Sequence, residues 1–198
     1  MKRKLVALMA LLASLSLAQT ASPKVTVNIP SVLQLTLDAT DYKFDFNASS
    51  ASGTVTIGSN SYTKASQAAY LTFLNATSGT QDFAPTSIED AANPDYGTVT
   101  VLTNRAQWTV KIDSISGSLT LGNSRVKVFA EKVSGKGTSQ TASPTSIASS
   151  LTLFSASSNG QGKSTYKLYY LFTMDINDDI PLSGINQSIT INLLLTSP

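Results

Sequence analysis

The chain holds 198 residues with 14 Lys and Arg against 12 Asp and Glu, and it contains neither Cys nor His. Without Cys there are no disulfides, thiol nucleophiles or thiolate metal sites, and without His there is no Ser-His-Asp arrangement and no imidazole ligand. Hydrophobic residues make up 41% and charged ones 13%, while Ser and Thr fill 53 positions; this fits a folded, hydroxyl-covered β domain rather than a disordered chain.

Met1, Lys2, Arg3 and Lys4 form a positive start, followed by an apolar run from Leu5 to Leu17 and small residues at Ser16 and Ala18. That pattern predicts a cleaved secretory signal over residues 1–21, since the run is short of the ~20 apolar residues that span a bilayer. With the signal gone, the expected mature chain has no membrane span and its charge is nearly balanced. It also lacks the clustered basic face that nucleic acids need.

Val25, Val27 and Ile29, then Leu33, Leu35 and Leu37, are apolar at alternate positions on both sides of Pro30. Period-2 alternation predicts a half-buried strand, and the internal proline makes it an edge strand or one that breaks and switches partner. Tyr42, Phe44 and Phe46 alternate next, then Val55 and Ile57. Residues 58–95 show no regular period, and residues 68–74 fit a strand or a short helix equally well.

Val99 and Val101, then Trp108, Val110 and Ile112, resume the alternation, and residues 103–106 between them suit a hairpin loop. A second hairpin is expected from Leu119 and Leu121 through Gly122-Asn123 to Val126 and Val128. Residues 134–150 are low in complexity, rich in Ser, Thr and Gly, and are expected to form an exposed loop. Leu151 and Leu153 open another strand. Tyr166, Leu168, Tyr170, Phe172 and Met174 share one face of the next, with Tyr169 on the other, and Ile189, Ile191, Leu193 and Leu195 close the chain. Eight to ten short strands separated by turn signals predict an all-β fold, a single Ig-like or Greek-key sandwich over residues 22–198.

Two acidic groups draw attention. Asp175, Asn177, Asp178 and Asp179 are spaced like the start of a calcium loop, although Ile180 stands where such a loop needs Gly and Asn186 where it needs a bidentate Glu. The plain alternative is an Asx-rich turn between strands, so Ca²⁺ is the one cofactor the sequence suggests. Asp38, Asp41 and Asp45 offer a second carboxylate group of the kind that could hydrolyse a glycoside, but nothing else in the sequence builds a sugar cleft, and they read instead as edge charges that discourage aggregation. Single tyrosines could stack on sugar rings, but isolated Tyr residues are ordinary on sandwiches.

The alternating segment after the signal, the run from Gly97 to Val101 followed by Trp108-Thr109-Val110, and the Tyr-rich strand feeding an alternating C-terminal strand together resemble bacterial secreted sandwich subunits of the fimbrial and spore-coat-U type. That resemblance implies a structural or adhesive protein of the cell envelope or surface, without catalysis. The strand bearing Val25, Val27, Ile29, Leu33, Leu35 and Leu37 is expected to close its own sandwich or, as the other reading, to pair with the sheet edge of a neighbouring subunit, the partners then being copies of itself or other envelope proteins. The alternative is an extracellular module that binds glycan or Ca²⁺.

Overall fold

The computed structural model describes residues 24–49 and 52–198. The expected signal peptide lies outside the described residues. Ser31–Pro198 form one compact unit. Residues 24–30 fall in a separate unit, carry no strand, and leave Val25, Val27 and Ile29 at least 72% exposed.

Fourteen strands are present among the described residues: β1 (Leu33–Leu37), β2 (Asp41–Lys43), β3 (Thr54–Ile57), β4 (Asn60–Thr63), β5 (Thr80–Phe83), β6 (Ser87–Glu89), β7 (Gly97–Thr103), β8 (Trp108–Ser116), β9 (Val126–Ser134), β10 (Thr138–Ser139), β11 (Thr145–Ser146), β12 (Thr152–Ala156), β13 (Gly162–Asp175) and β14 (Thr190–Thr196). One helix, α1 (Gln67–Leu74), lies between β4 and β5. No helix among the described residues is long and apolar enough to cross a membrane.

The fold is an all-β sandwich. One sheet runs β1-β7-β13-β9-β11, with β5 also paired to β13, and the facing sheet runs β10-β12-β8-β14. Val99 and Val101 of β7, Val128 and Ala130 of β9, and Tyr166, Leu168 and Tyr170 of β13 meet Trp108, Val110 and Ile112 of β8 and Leu153 and Phe154 of β12 in the main core. These are the alternating apolar positions of each strand, so period-2 patterning translates directly into the buried interface. Phe154 stacks on Tyr166 at 4.2 Å between ring centroids, and Trp108 meets Tyr166 edge-on at 6.3 Å.

Both expected hairpins are corrected. β7 and β8 belong to opposite sheets, so residues 104–107 cross between layers that stand about 10 Å apart, a span four extended residues cover. Crossing is what lets Val101 and Trp108 face the same core. Leu119 and Leu121 form no strand; the 3-10 turn Asn123–Arg125 leads into β9 instead. The N-terminal strand begins at Leu33 rather than Val25. Its partner β7 ends at Thr103, opposite Leu33, and Pro30 has no amide hydrogen with which to extend a ladder.

Residues 134–150 are pinned rather than loose. β10 pairs with β12 and β11 with β9, Ile147 enters the main core, and buried Thr141 accepts a hydrogen bond from the Ala130 amide at 2.8 Å through its Oγ1. The segment that showed no period, residues 58–95, covers the outer face of the larger sheet together with β3. Val55, Ile57 and Ala84 pack there on Tyr169 and Leu171 of β13, with Tyr62, Tyr96 and Phe129 around them. A third cluster gathers Ala65, Phe73, Phe83 and Met174 beside α1, whose N-cap Ser66 accepts from the Ala69 amide. The short strands and this outer layer account for the excess over eight to ten strands.

Candidate functional site

The 175–179 segment is a closed turn at the end of β13. Asp175 Oδ1 accepts from both nitrogens of Asn177, the backbone amide at 2.9 Å and Nδ2 at 3.0 Å. Asp178 Oδ2 accepts from the Asp175 amide at 2.8 Å, and its Oδ1 takes a 2.7 Å ion pair from Arg125. Ile180 packs against the third apolar cluster, and Asp179 points to solvent. The carboxylates of Asp175 and Asp178 are therefore engaged by the turn itself and by Arg125. Among the described residues no group of three or more Asp or Glu side chains converges as metal ligands would.

The other acidic residues are dispersed. Asp38 accepts from the amides of Thr98 and Ala92, tying the start of β7 to the chain after β1. Asp45 caps its own turn at the Asn47 amide. Asp41 is exposed opposite Glu89 in the β2–β6 pair.

The tyrosines are structural groups. The Tyr42 hydroxyl donates to the Leu168 carbonyl at 3.0 Å and accepts from the Gly97 amide at 3.1 Å, and the Tyr166 hydroxyl donates to the Lys136 carbonyl at 2.6 Å. Burial pushes the Tyr166 phenol up to about 12 and raises Tyr42, Tyr169 and Tyr170 as well. Tyr96 is half-buried, with Lys167 Nζ 5.1 Å over its ring and the Tyr169 ring tilted against it at 5.4 Å. A shallow cleft of about 340 Å³ at one end is lined by Asn104, Arg105, Gln107 and Gln161, with Arg105 bonded to Ser197 and Pro198.

What remains open is one side of the sandwich. β1 ends one sheet and β14 ends the other. The opposite ends of the same sheets, β10 and β11, are two residues each, a length that natural sheets use to blunt an edge. β14 is not blunted. It has seven residues, Thr-Ile-Asn-Leu-Leu-Leu-Thr, without charge or proline; β1 of the facing sheet lies near it, but beyond its ladder to β8 it pairs with no second strand among the described residues. Its inward residues Ile191, Leu193 and Leu195 are half-buried against the core, while Leu194 is 37% exposed on the outer face. On β1, Leu35 and Leu37 pack on the same core and Leu33 is exposed.

The chain matches no family model, no curated protein and no solved structure. An unpaired strand offers a row of amide and carbonyl groups at fixed spacing, and another extended segment satisfies them by adding to the sheet. Of the expected interaction strand, Leu33, Leu35 and Leu37 are inside the sheet, whereas Val25, Val27 and Ile29 belong to no strand. The receptive edge β14 was not singled out from the sequence. Its signal was available: no charged residue follows Asp179.

Proposed function

We propose that the protein is a non-catalytic, secreted structural or adhesive subunit of the bacterial cell envelope or surface, assembling by addition of its apolar N-terminal segment to β14 of another copy. The observation that carries this reading is the asymmetry of the edges: two-residue strands guard one side, and a seven-residue uncharged strand is left on the other. Residues 25–29 have the complementary form, with Val25, Val27 and Ile29 alternating with Thr26 and Asn28. A segment of that pattern gives a backbone ladder and inserts side chains on one face only. The composition, which lacks both Cys and His and so has no thiol nucleophile and no imidazole base or ligand, supports a role without catalysis.

Light scattering on the chain from residue 22 onward tests it. The expected result is a concentration-dependent ladder of high-mass species that collapses to monomer when Val25, Val27 and Ile29 are all replaced by Ser. A unsubstituted chain that stays monomeric at every concentration would overturn assembly through this segment.

A further inference from the structure

Two unrelated constraints meet at consecutive positions in the turn between β12 and β13. Asn159 is exposed and has φ = +53°, in the left-handed region where Asn is tolerated better than most residues. Gly160 is buried beneath the tryptophan. A Cβ there would stand 2.5 Å from Trp108 Nε1 and 2.8 Å from both Trp108 Cδ1 and Ala156 Cβ, so only glycine fits. The fold thus requires Gly at 160 and accepts Asn at 159, and this is the one Asn-Gly pair in the sequence.

That pair is chemically labile, because no side chain on the second residue shields its backbone nitrogen from the first residue's carboxamide. In the closed turn the nitrogen is occupied. The Gly160 amide donates to the Ala106 carbonyl at 2.9 Å, and the Gly160 carbonyl accepts from Trp108 Nε1 at 2.9 Å. Both ends of the residue are clamped to the start of β8 and the loop before it.

We propose that Asn159 is a self-deamidation site gated by the Trp108–Gly160 clamp. When the turn opens, the Gly160 nitrogen gives up its proton and attacks Asn159 Cγ. The N–Cγ bond forms, the Cγ–Nδ2 bond breaks, and ammonia leaves carrying a proton, which closes a cyclic imide. Water then adds to one of the imide carbonyls and breaks one C–N bond, leaving aspartate or isoaspartate. Water is the only co-reactant. Isoaspartate reroutes the main chain through the side-chain methylene, so Gly160 no longer reaches both Ala106 and Trp108. The step is a one-way loss of this corner of the sandwich, and its rate reports how often the corner opens.

Peptide mapping by mass spectrometry of the full chain, incubated folded and in denaturant, tests the proposal. Conversion at Asn159 is expected to be at least about tenfold slower in the folded protein, as for any group whose reaction requires local opening. Trp108→Phe keeps the ring but removes the Nε1 donor, and it is expected to raise the folded-state rate several-fold. Should that variant fail to fold, the unsubstituted chain in sub-denaturing urea serves instead, with conversion rising in step with the emission of the single tryptophan. Equal rates in folded and denatured protein, or conversion indifferent to urea and to loss of the indole donor, would overturn the gating. Isolated isoaspartate protein with unchanged Trp108 emission would overturn the loss of the corner.

Discussion

Tyr169 stands directly opposite Phe129 across the β13–β9 ladder, with ring centroids 6.2 Å apart, on the face of the sheet turned away from Trp108. Its neighbour Tyr170 points into the main core and meets Tyr42 edge-on at 4.7 Å. β13 is therefore buried on both faces, which makes it the mechanical centre of the fold. Replacing Leu171 with Ala, on the outer face, is expected to cost about 2–5 kcal/mol, the range for truncating a buried leucine. The same change at exposed Leu102 is expected to stay within about 0.5 kcal/mol. Urea denaturation of the two variants checks this, and equal effects would mean that the outer layer does not bury β13.

How much of this was legible can be judged from the same strand. The alternating positions Tyr166, Leu168 and Tyr170, then Ile191, Leu193 and Leu195, together with the phase of Trp108, mark the inner face of the sandwich, because a half-buried strand writes its burial as alternation. The outer layer was written differently. Residues 168–174, Leu-Tyr-Tyr-Leu-Phe-Thr-Met, are nearly continuous in apolar character, as in a strand covered on both faces, and reading one phase alone left Tyr169 and Leu171 without partners. Of those partners, Val55 and Ile57 do alternate, but on a strand of four residues that does not say which sheet it covers, and Ala84 comes from a stretch without any period. Hairpins were misread for a related reason. A strand pair joined by four residues has the same local pattern whether the chain turns back within a sheet or crosses to the other one.

Thr141 illustrates how composition misleads within the low-complexity stretch. Its hydroxyl satisfies the buried Ala130 amide, so the isosteric Thr141→Val leaves that donor without its acceptor. The expected loss is about 1–3 kcal/mol, the usual cost of stranding a buried polar group. Amide hydrogen exchange at Ala130 is expected to accelerate in parallel. A neutral substitution would return residues 134–150 to the status of a dispensable loop.

Stability is expected to fall in alkali. Tyr166 titrates near 12 in the fold, and Tyr42, Tyr169 and Tyr170 are also raised by burial, whereas an unfolded tyrosine ionises near about 10. Above that value the unfolded chain releases phenolic protons that the native chain retains, so ΔG of unfolding declines with pH. The contribution is fully present below pH about 10 and is lost as pH rises through the folded values. Melting curves across this range should show a steady drop in Tm beginning near the unfolded value. In Tyr166→Phe the slope should be shallower, at the expense of the hydrogen bond to Lys136. A Tm that does not fall over this interval would contradict burial of these phenols.

The receptive edge has its own test, separate from the donor segment. Leu194 lies on the outer face of β14 opposite Lys111 of β8. Leu194→Lys places a second cation beside Lys111 and puts on the strand the kind of charge that natural edges use to refuse partners. Because Leu194 is outside the main core, the like-charge pair with Lys111 is expected to lower the stability of the isolated subunit by no more than about 1 kcal/mol. Assembly should be lost, and a mixture of this variant with the Val25, Val27 and Ile29 to Ser protein is the decisive comparison. The first has an intact donor and a blocked acceptor, the second a blocked donor and an intact acceptor, so a mixture of the two forms dimers but no longer ladders. If the mixture stays monomeric while each variant remains folded, addition to β14 is wrong even where the N-terminal segment proves necessary, and the recipient must be sought on β1.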